Sequence, residues 1–169
     1  ASDDTPKLFK LDLLGKLLRV IDLPADDLEG LTLDPNGNVL ALSEGRNAIS
    51  VFNTVSGQIT AHRRLEDMRG YDKIAKYFEN DNGTNQGLEG LCWHALRHSI
   101  FAVKESKPKL LIEISADLRK IVTHTVLKKR SGIEAPLMKP KKIDVSGICF
   151  DEGRDRFWIV SDKAARAYV

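Results

Sequence analysis

Gly87-Leu88-Glu89-Gly90-Leu91-Cys92-Trp93, followed by Ser99-Ile100-Phe101-Ala102-Val103-Lys104-Glu105, is the stretch from which the fold can be read, because the chain carries it twice more in altered form. One copy is Asp27-Leu28-Glu29-Gly30-Leu31-Thr32-Leu33 with Asn38-Val39-Leu40-Ala41-Leu42-Ser43-Glu44. The other is Asp144-Val145-Ser146-Gly147-Ile148-Cys149-Phe150 with Arg156-Phe157-Trp158-Ile159-Val160-Ser161-Asp162. Glu29 stands 15 residues before Glu44, and Glu89 and Ser146 each stand 16 residues before Glu105 and Asp162. The copies start 60 and 57 residues apart, which is the period of a modular array.

Around these copies the alternation of apolar and polar residues predicts short strands separated by turns. In the copy over 28–65 they cover 29–33, 39–43, 49–53 and 58–65. The first hairpin is Asp34-Pro35-Asn36-Gly37, where proline presets one turn dihedral and Asn-Gly tolerates positive φ. The copy over 88–128 predicts strands near 89–93, 99–104, 109–114 and 121–127. Residues 7–23 read as the second half of a repeat, and 145–169 as a repeat that stops in its third strand. The sum is about twelve strands in an all-β chain.

Four-stranded antiparallel units in tandem point to a β-propeller, here one segment over 1–169 made of a half blade (7–23), a blade (28–65), an insertion (68–86), a blade (88–128) and a partial blade (145–169). About three blades cannot close a ring, since closure takes about four. The expectation is therefore a partial propeller from a longer chain, with a homodimer closing a ring of about six blades as the alternative. A first residue of Ala1 instead of Met fits the longer chain.

The insertion differs in texture. Ile74, Tyr77 and Phe78 at helical spacing predict one short amphipathic helix over 71–79. Asn80-Asp81-Asn82-Gly83-Thr84-Asn85 then reads as a turn, since it lacks most positions of a calcium-binding loop.

Composition excludes several classes. The chain is 42% hydrophobic and 30% charged over 169 residues, as expected for a folded soluble domain. A net charge of +2 argues against a nucleic-acid partner, and no apolar run is long enough for a transmembrane segment. Between Lys128 and Lys142 six basic residues face Glu134 alone; a solvated surface loop is the expected reading and an anionic partner the alternative. Cys92 and Cys149 hold the same repeat position, as buried free thiols or, alternatively, as a pair between adjacent repeats.

The repeat also distributes chemistry. In an antiparallel hairpin the start of one strand lies beside the end of the next, so Glu29 with Glu44, Glu89 with Glu105, and Ser146 with Asp162 fall at one end of each blade. With first strands innermost, five carboxylates converge on one channel mouth as a ligand-binding set. Their repulsion calls for water, for Lys104 and Lys163, or for a cation. Ca²⁺, which takes six to eight oxygens, suits such a funnel, with Glu29 and Glu89 as its first ligands. The competing reading makes these residues strand-end caps that bond to backbone N–H groups of neighbouring blades. No nucleophile elbow, zinc motif or phosphate loop is present, so no catalytic residue is assigned. His62 and His124 are expected on the surface, His94 and His98 in a hairpin turn, and Trp93 and Trp158 in packing between blades.

At the repeated residues the chain resembles the SdiA-regulated family of bacterial propellers, itself related to the esterase-like phytase propellers. Its carriers are Asp27-Leu28-Glu29-Gly30-Leu31, Asn85-Gln86-Gly87-Leu88-Glu89-Gly90-Leu91 with Ala102-Val103-Lys104-Glu105-Ser106-Lys107-Pro108, and Asp144-Val145-Ser146-Gly147-Ile148 with Val160-Ser161-Asp162. The resemblance implies that both ends are cut short. The favoured expectation is a non-enzymatic binding or scaffold module of the cell envelope or periplasm, with the cytoplasm as the alternative, that takes a cation or small ligand at the channel mouth. The alternative implied by the phytase kinship is a Ca²⁺-dependent hydrolase of carboxylic or phosphate esters, the basic residues 139–142 steering anions.

Overall fold

The computed structural model describes residues 7–23, 27–79 and 87–169, which form thirteen strands in four antiparallel sheets. Strands β1 (Lys7–Leu11) and β2 (Leu17–Asp22) pair by themselves. A four-stranded meander follows, β3 (Leu28–Leu33), β4 (Val39–Ser43), β5 (Ala48–Phe52) and β6 (Ile59–Arg64). The next is β7 (Leu88–His94), β8 (Ser99–Lys104), β9 (Leu110–Ser115) and β10 (Ile121–Val126). The last sheet has three strands, β11 (Gly147–Asp151), β12 (Arg156–Ser161) and β13 (Arg166–Tyr168), the third completing a count one above the expected twelve. The β3–β4 hairpin forms as its residues require. Gly37 takes φ +76°, and the Asp34 carboxylate accepts the N–H groups of Asn36 (2.9 Å) and Asn38 (2.8 Å).

The sheets are arranged as blades. Strand β3 packs beside β7, and β7 beside β11, so the first strand of each of these three sheets is the innermost. The approach is close enough that the repeat glycines are a steric requirement. A methyl group on Gly30 would lie 3.0 Å from the Leu91 nitrogen; one on Gly90 would lie 3.0 Å from the Gly147 Cα and 3.1 Å from the Ile148 nitrogen. The Trp93 N–H also donates to Thr32 Oγ1 (3.1 Å), tying β7 to β3.

Each junction between sheets holds an apolar layer. Leu8 and Leu23 pack on Leu28, Ala41 and Phe52; Leu40, Leu42 and Ile49 face Leu91, Ile100 and Ile112; Val103 and Leu127 face Ile143, Val145 and Ile159. The β7–β10 sheet is therefore covered on both faces. All six residues of β8 are buried, which explains why its centre, Ile100 to Val103, is a continuous apolar run instead of an alternating one.

The insertion caps the largest layer. It is helical in a tighter form than the single amphipathic helix expected: Tyr71–Lys73 and Ala75–Tyr77 are successive 3₁₀ turns, closed by the Ile74 N–H on the Tyr71 carbonyl and the Phe78 N–H on the Ala75 carbonyl, both 2.8 Å. Gly70, at φ +87°, sets the entry, and Ile74, fully buried, plugs the core. So short a segment gains more from seating one side chain than from propagating an α-helix. The turn expected over 80–85 lies outside the described residues.

Other expectations need correcting. Trp158 is 44% exposed on the outer side of the last sheet, so it packs no core, whereas Trp93 is packed against one. His94 is the final residue of β7 and is buried, its ring stacked 3.7 Å from that of Phe150. Both cysteines are free, but only Cys92 is buried, and burial pushes its thiol up to about 12. Among the described residues no helix is long and apolar enough to cross a membrane.

Two substitutions test this packing by urea denaturation. Gly90→Ala places a methyl group against backbone that cannot step aside and is expected to lower stability by about 1–3 kcal/mol. Ile74→Ala empties the plug under the insertion and is expected to cost about 2–5 kcal/mol.

Candidate functional site

Pairing in the first hairpin of each complete blade skips one residue. The β3–β4 ladder passes from Leu28↔Ser43 to Gly30↔Leu42, and the β7–β8 ladder from Leu88↔Lys104 to Gly90↔Val103. Glu29 and Glu89 are the extra residues, so each sits on a β-bulge, a device that re-aims a side chain out of the regular alternation.

Bulging brings them to their repeat partners at the strand ends. Glu44, 2% exposed, reaches into the next blade, where its Oε1 accepts the Gly87 N–H at 2.8 Å. A methyl group on Gly87 would lie 2.7 Å from Glu44 Cγ, so this seat exists only because the position is glycine. In the other copies the equivalent residue is an aspartate that caps the turn of its own blade: Asp27 Oδ2 accepts the Gly45 N–H, and Asp144 Oδ1 the Lys163 N–H. One ligand atom from each of Asp27, Glu29 and Glu44 lies within 4.8 Å of the others, a spacing that a metal ion can bridge.

The next junction is built differently. Glu105 is buried, and Lys163 from the last blade donates to its Oε1 at 2.6 Å and lies 3.7 Å from Asp144. Asp144 is also bonded by the Ser161 hydroxyl. Lys104, completely buried, donates to the Ser106 carbonyl at 2.8 Å and lies over the Phe78 ring. Of the third repeat pair, Ser146 turns its hydroxyl back to the Val160 carbonyl (3.5 Å) and Asp162 is exposed. The structure thus groups Glu29, Glu44, Glu89 and Glu105, while Lys163 and Asp144 are the groups that extend the set into the last blade.

The field among these carboxylates is strong. Burial, above all, raises the Glu89 carboxyl to about 8, with further contributions from Glu44, Glu29 and Glu105. Burial also raises Glu44, against the lowering effect of its bonds to the Gly87 N–H and to Glu89, with Asp27 and Glu105 adding to the rise. At neutral pH Glu89 therefore holds a proton that the Glu44–Glu89 pair can share.

Compensation of the other buried acids is complete by comparison. Glu113, at the opposite end of the same blade, accepts a forked pair from Arg97 (2.8 and 3.0 Å) and the Ser99 hydroxyl (3.0 Å). Among the described residues, Glu44 Oε2 is the buried carboxylate oxygen that no N–H, hydroxyl or ammonium donor meets, which leaves the Glu89 carboxyl as its carboxylate's remaining partner. Sequence reasoning missed Asp27 as a member of the set, although its place two residues before Glu29 was a signal. It missed the role of Gly87 because an absent side chain gives no chemical cue.

Comparison with known proteins agrees with this architecture. The chain overlays a crystal structure of Myxococcus xanthus glutaminyl cyclase with a TM-score of 0.66 and 14% identity, over 98% of this chain and 63% of that one. It overlays a luciferin-regenerating enzyme with a TM-score of 0.58 and 11% identity, over 95% of this chain and 47% of that one. At such identities the likeness is one of fold, a β-propeller, and the chain spans less than two thirds of either protein. It matches no curated protein sequence. The chain belongs to the SdiA-regulated family, whose model matches residues 1–168.

Proposed function

We propose that this segment is a propeller binding module whose channel mouth takes a hard divalent cation, Ca²⁺ by its oxygen-only chemistry, on Asp27, Glu29 and Glu44, with the adjoining Glu89 carboxyl giving up its proton as the cation binds and Glu105, paired with Lys163, at the border of the set. The observation that carries the reading is the buried Glu44 Oε2, which no N–H, hydroxyl or ammonium donor meets, in a carboxylate set of bridging dimensions. A buried carboxylate oxygen left unpaired is costly, and a proton on Glu89 or a metal ion are the two species that can answer it. All the candidate ligands are carboxylates, which favours Ca²⁺ over metals that prefer nitrogen or sulfur.

Melting curves test this directly. At pH 8, millimolar Ca²⁺ is expected to raise the melting temperature of the native chain, and EDTA to reverse the rise. Glu29→Gln, on a half-buried side chain, should remove the response without unfolding the protein. Loss of the Ca²⁺ shift in the native chain overturns the reading. A Ca²⁺-dependent turnover of a chromogenic carboxylic or phosphate ester would replace a binding role with hydrolysis.

Protons and cations compete for the same oxygens, which gives a pH signature. The folded Glu89 carboxyl titrates near 8, above its ordinary value of 4.5, so its contribution to stability is full below about 4.5 and is lost as pH rises through about 8. In EDTA the melting temperature is expected to fall across that window, and Glu89→Gln should flatten the fall. The Ca²⁺-induced rise should be larger at pH 8 than at pH 5.5.

A further inference from the structure

A second concave site adjoins the mouth on the side of the last blade. It is a cavity of about 480 Å³ between the β8–β9 turn and the basic loop that precedes β11, within the size range of small-molecule sites. Lys107, Lys141, Lys142 and Lys163 contribute four positive charges to its wall, Glu105 and Asp144 two negative ones, and Met138 an apolar patch.

The charges are not equivalent. Lys163 is already neutralised, bonded to Glu105 at 2.6 Å and 3.7 Å from Asp144, and Asp144 is bonded in turn by the Ser161 hydroxyl. That network forms a satisfied floor. Among the described residues Lys107, Lys141 and Lys142 have no acidic partner, so three exposed ammonium groups face the cavity uncompensated.

Two of them are held in place by a buried cation. Lys109, 8% exposed, donates its ammonium to the carbonyls of Pro140 (2.9 Å) and Ile143 (3.0 Å). These bonds span the 3₁₀ turn Pro140–Lys142, and Ile143 and Val145 beyond it are fully buried. Lys141 and Lys142 therefore stand on backbone pinned on both sides, unlike lysines on a free surface loop, and less ordering remains to be done when an anion binds.

We propose that this cavity is a binding site for a small organic oxyanion, a carboxylate or phosphate, whose charged end meets Lys107, Lys141 and Lys142 while its apolar body lies over Met138. The site stands on its own geometry and needs no cation at the mouth, although Glu105 borders both.

The test is calorimetric titration of phenyl phosphate and of inorganic phosphate into the chain at low ionic strength, after EDTA treatment and dialysis into metal-free buffer without chelator, so that failure of the cation reading leaves it untouched. Phenyl phosphate is expected to bind one to one and more tightly than inorganic phosphate. Lys141→Gln with Lys142→Gln should weaken it about tenfold or more, from two lost charge-assisted contacts, with an unchanged circular dichroism spectrum. Lys10→Gln with Lys16→Gln removes the same charge from exposed positions on the first sheet, away from the cavity, and should leave affinity within about twofold. Absence of binding by the native chain, or equal weakening by both double variants, overturns the proposal. Sedimentation with phosphatidylglycerol vesicles in place of phenyl phosphate binding would overturn it in favour of a lipid surface.

Discussion

The approach of the innermost strands is the constraint on which the rest of the structure depends. Strands β3, β7 and β11 come together backbone to backbone at Gly30, Gly90 and Gly147, at separations that leave no room for a methyl group at the first two. Packing this close around an axis forces each sheet to run outward from its first strand. The side faces of neighbouring sheets are then the surfaces left to bury, and the apolar layers lie in those junctions.

The same convergence concentrates charge. Once first strands are adjacent, whatever stands at their starts is gathered at one end of the axis. The protein manages the resulting repulsion unequally: the junction toward the last blade has Lys163 between Glu105 and Asp144, while the junction between the two complete blades has the Glu44 carboxylate lodged against Gly87 with no cation beside it and only the Glu89 proton to share. The Glu44 bond to the Gly87 N–H belongs to the capping reading of the repeat acids, and the orphan oxygen beside it belongs to the ligand reading. One side chain serves both because a carboxylate has two oxygens and the backbone uses one.

Burial also marks where the described array ends. The β7–β10 sheet is sandwiched, whereas Phe9, Leu11 and Val20 on the first sheet and Trp158 and Val160 on the last are exposed. On β12 the exposed Trp158 and Val160 alternate with the more buried Phe157 and Ile159, so apolar residues stand on both faces as they do on the covered β8, and the solved structures of like fold are longer than this chain. The basic loop before β11 is likewise more ordered than its composition announces. A run of lysines reads as solvated surface, yet the ammonium of Lys109, the residue just before β9, reaches back to hold it.

The sequence by itself determined the number and order of the meanders, the turn chemistry of Asp34 to Gly37, the innermost place of the glycine-bearing strands, and the grouping of Glu29, Glu44, Glu89 and Glu105. All of these follow from periodicity, since a repeat that conserves spacing must conserve geometry. The tertiary structure alone decided what breaks the repeat. The seating of Glu44 on the Gly87 N–H, the stacking of His94 on Phe150, and the salt bridge that ties Lys163 to Glu105 depend on partners in another blade. Those partners lie tens of residues away, and contacts of that range leave no local signature in a chain read one residue after another.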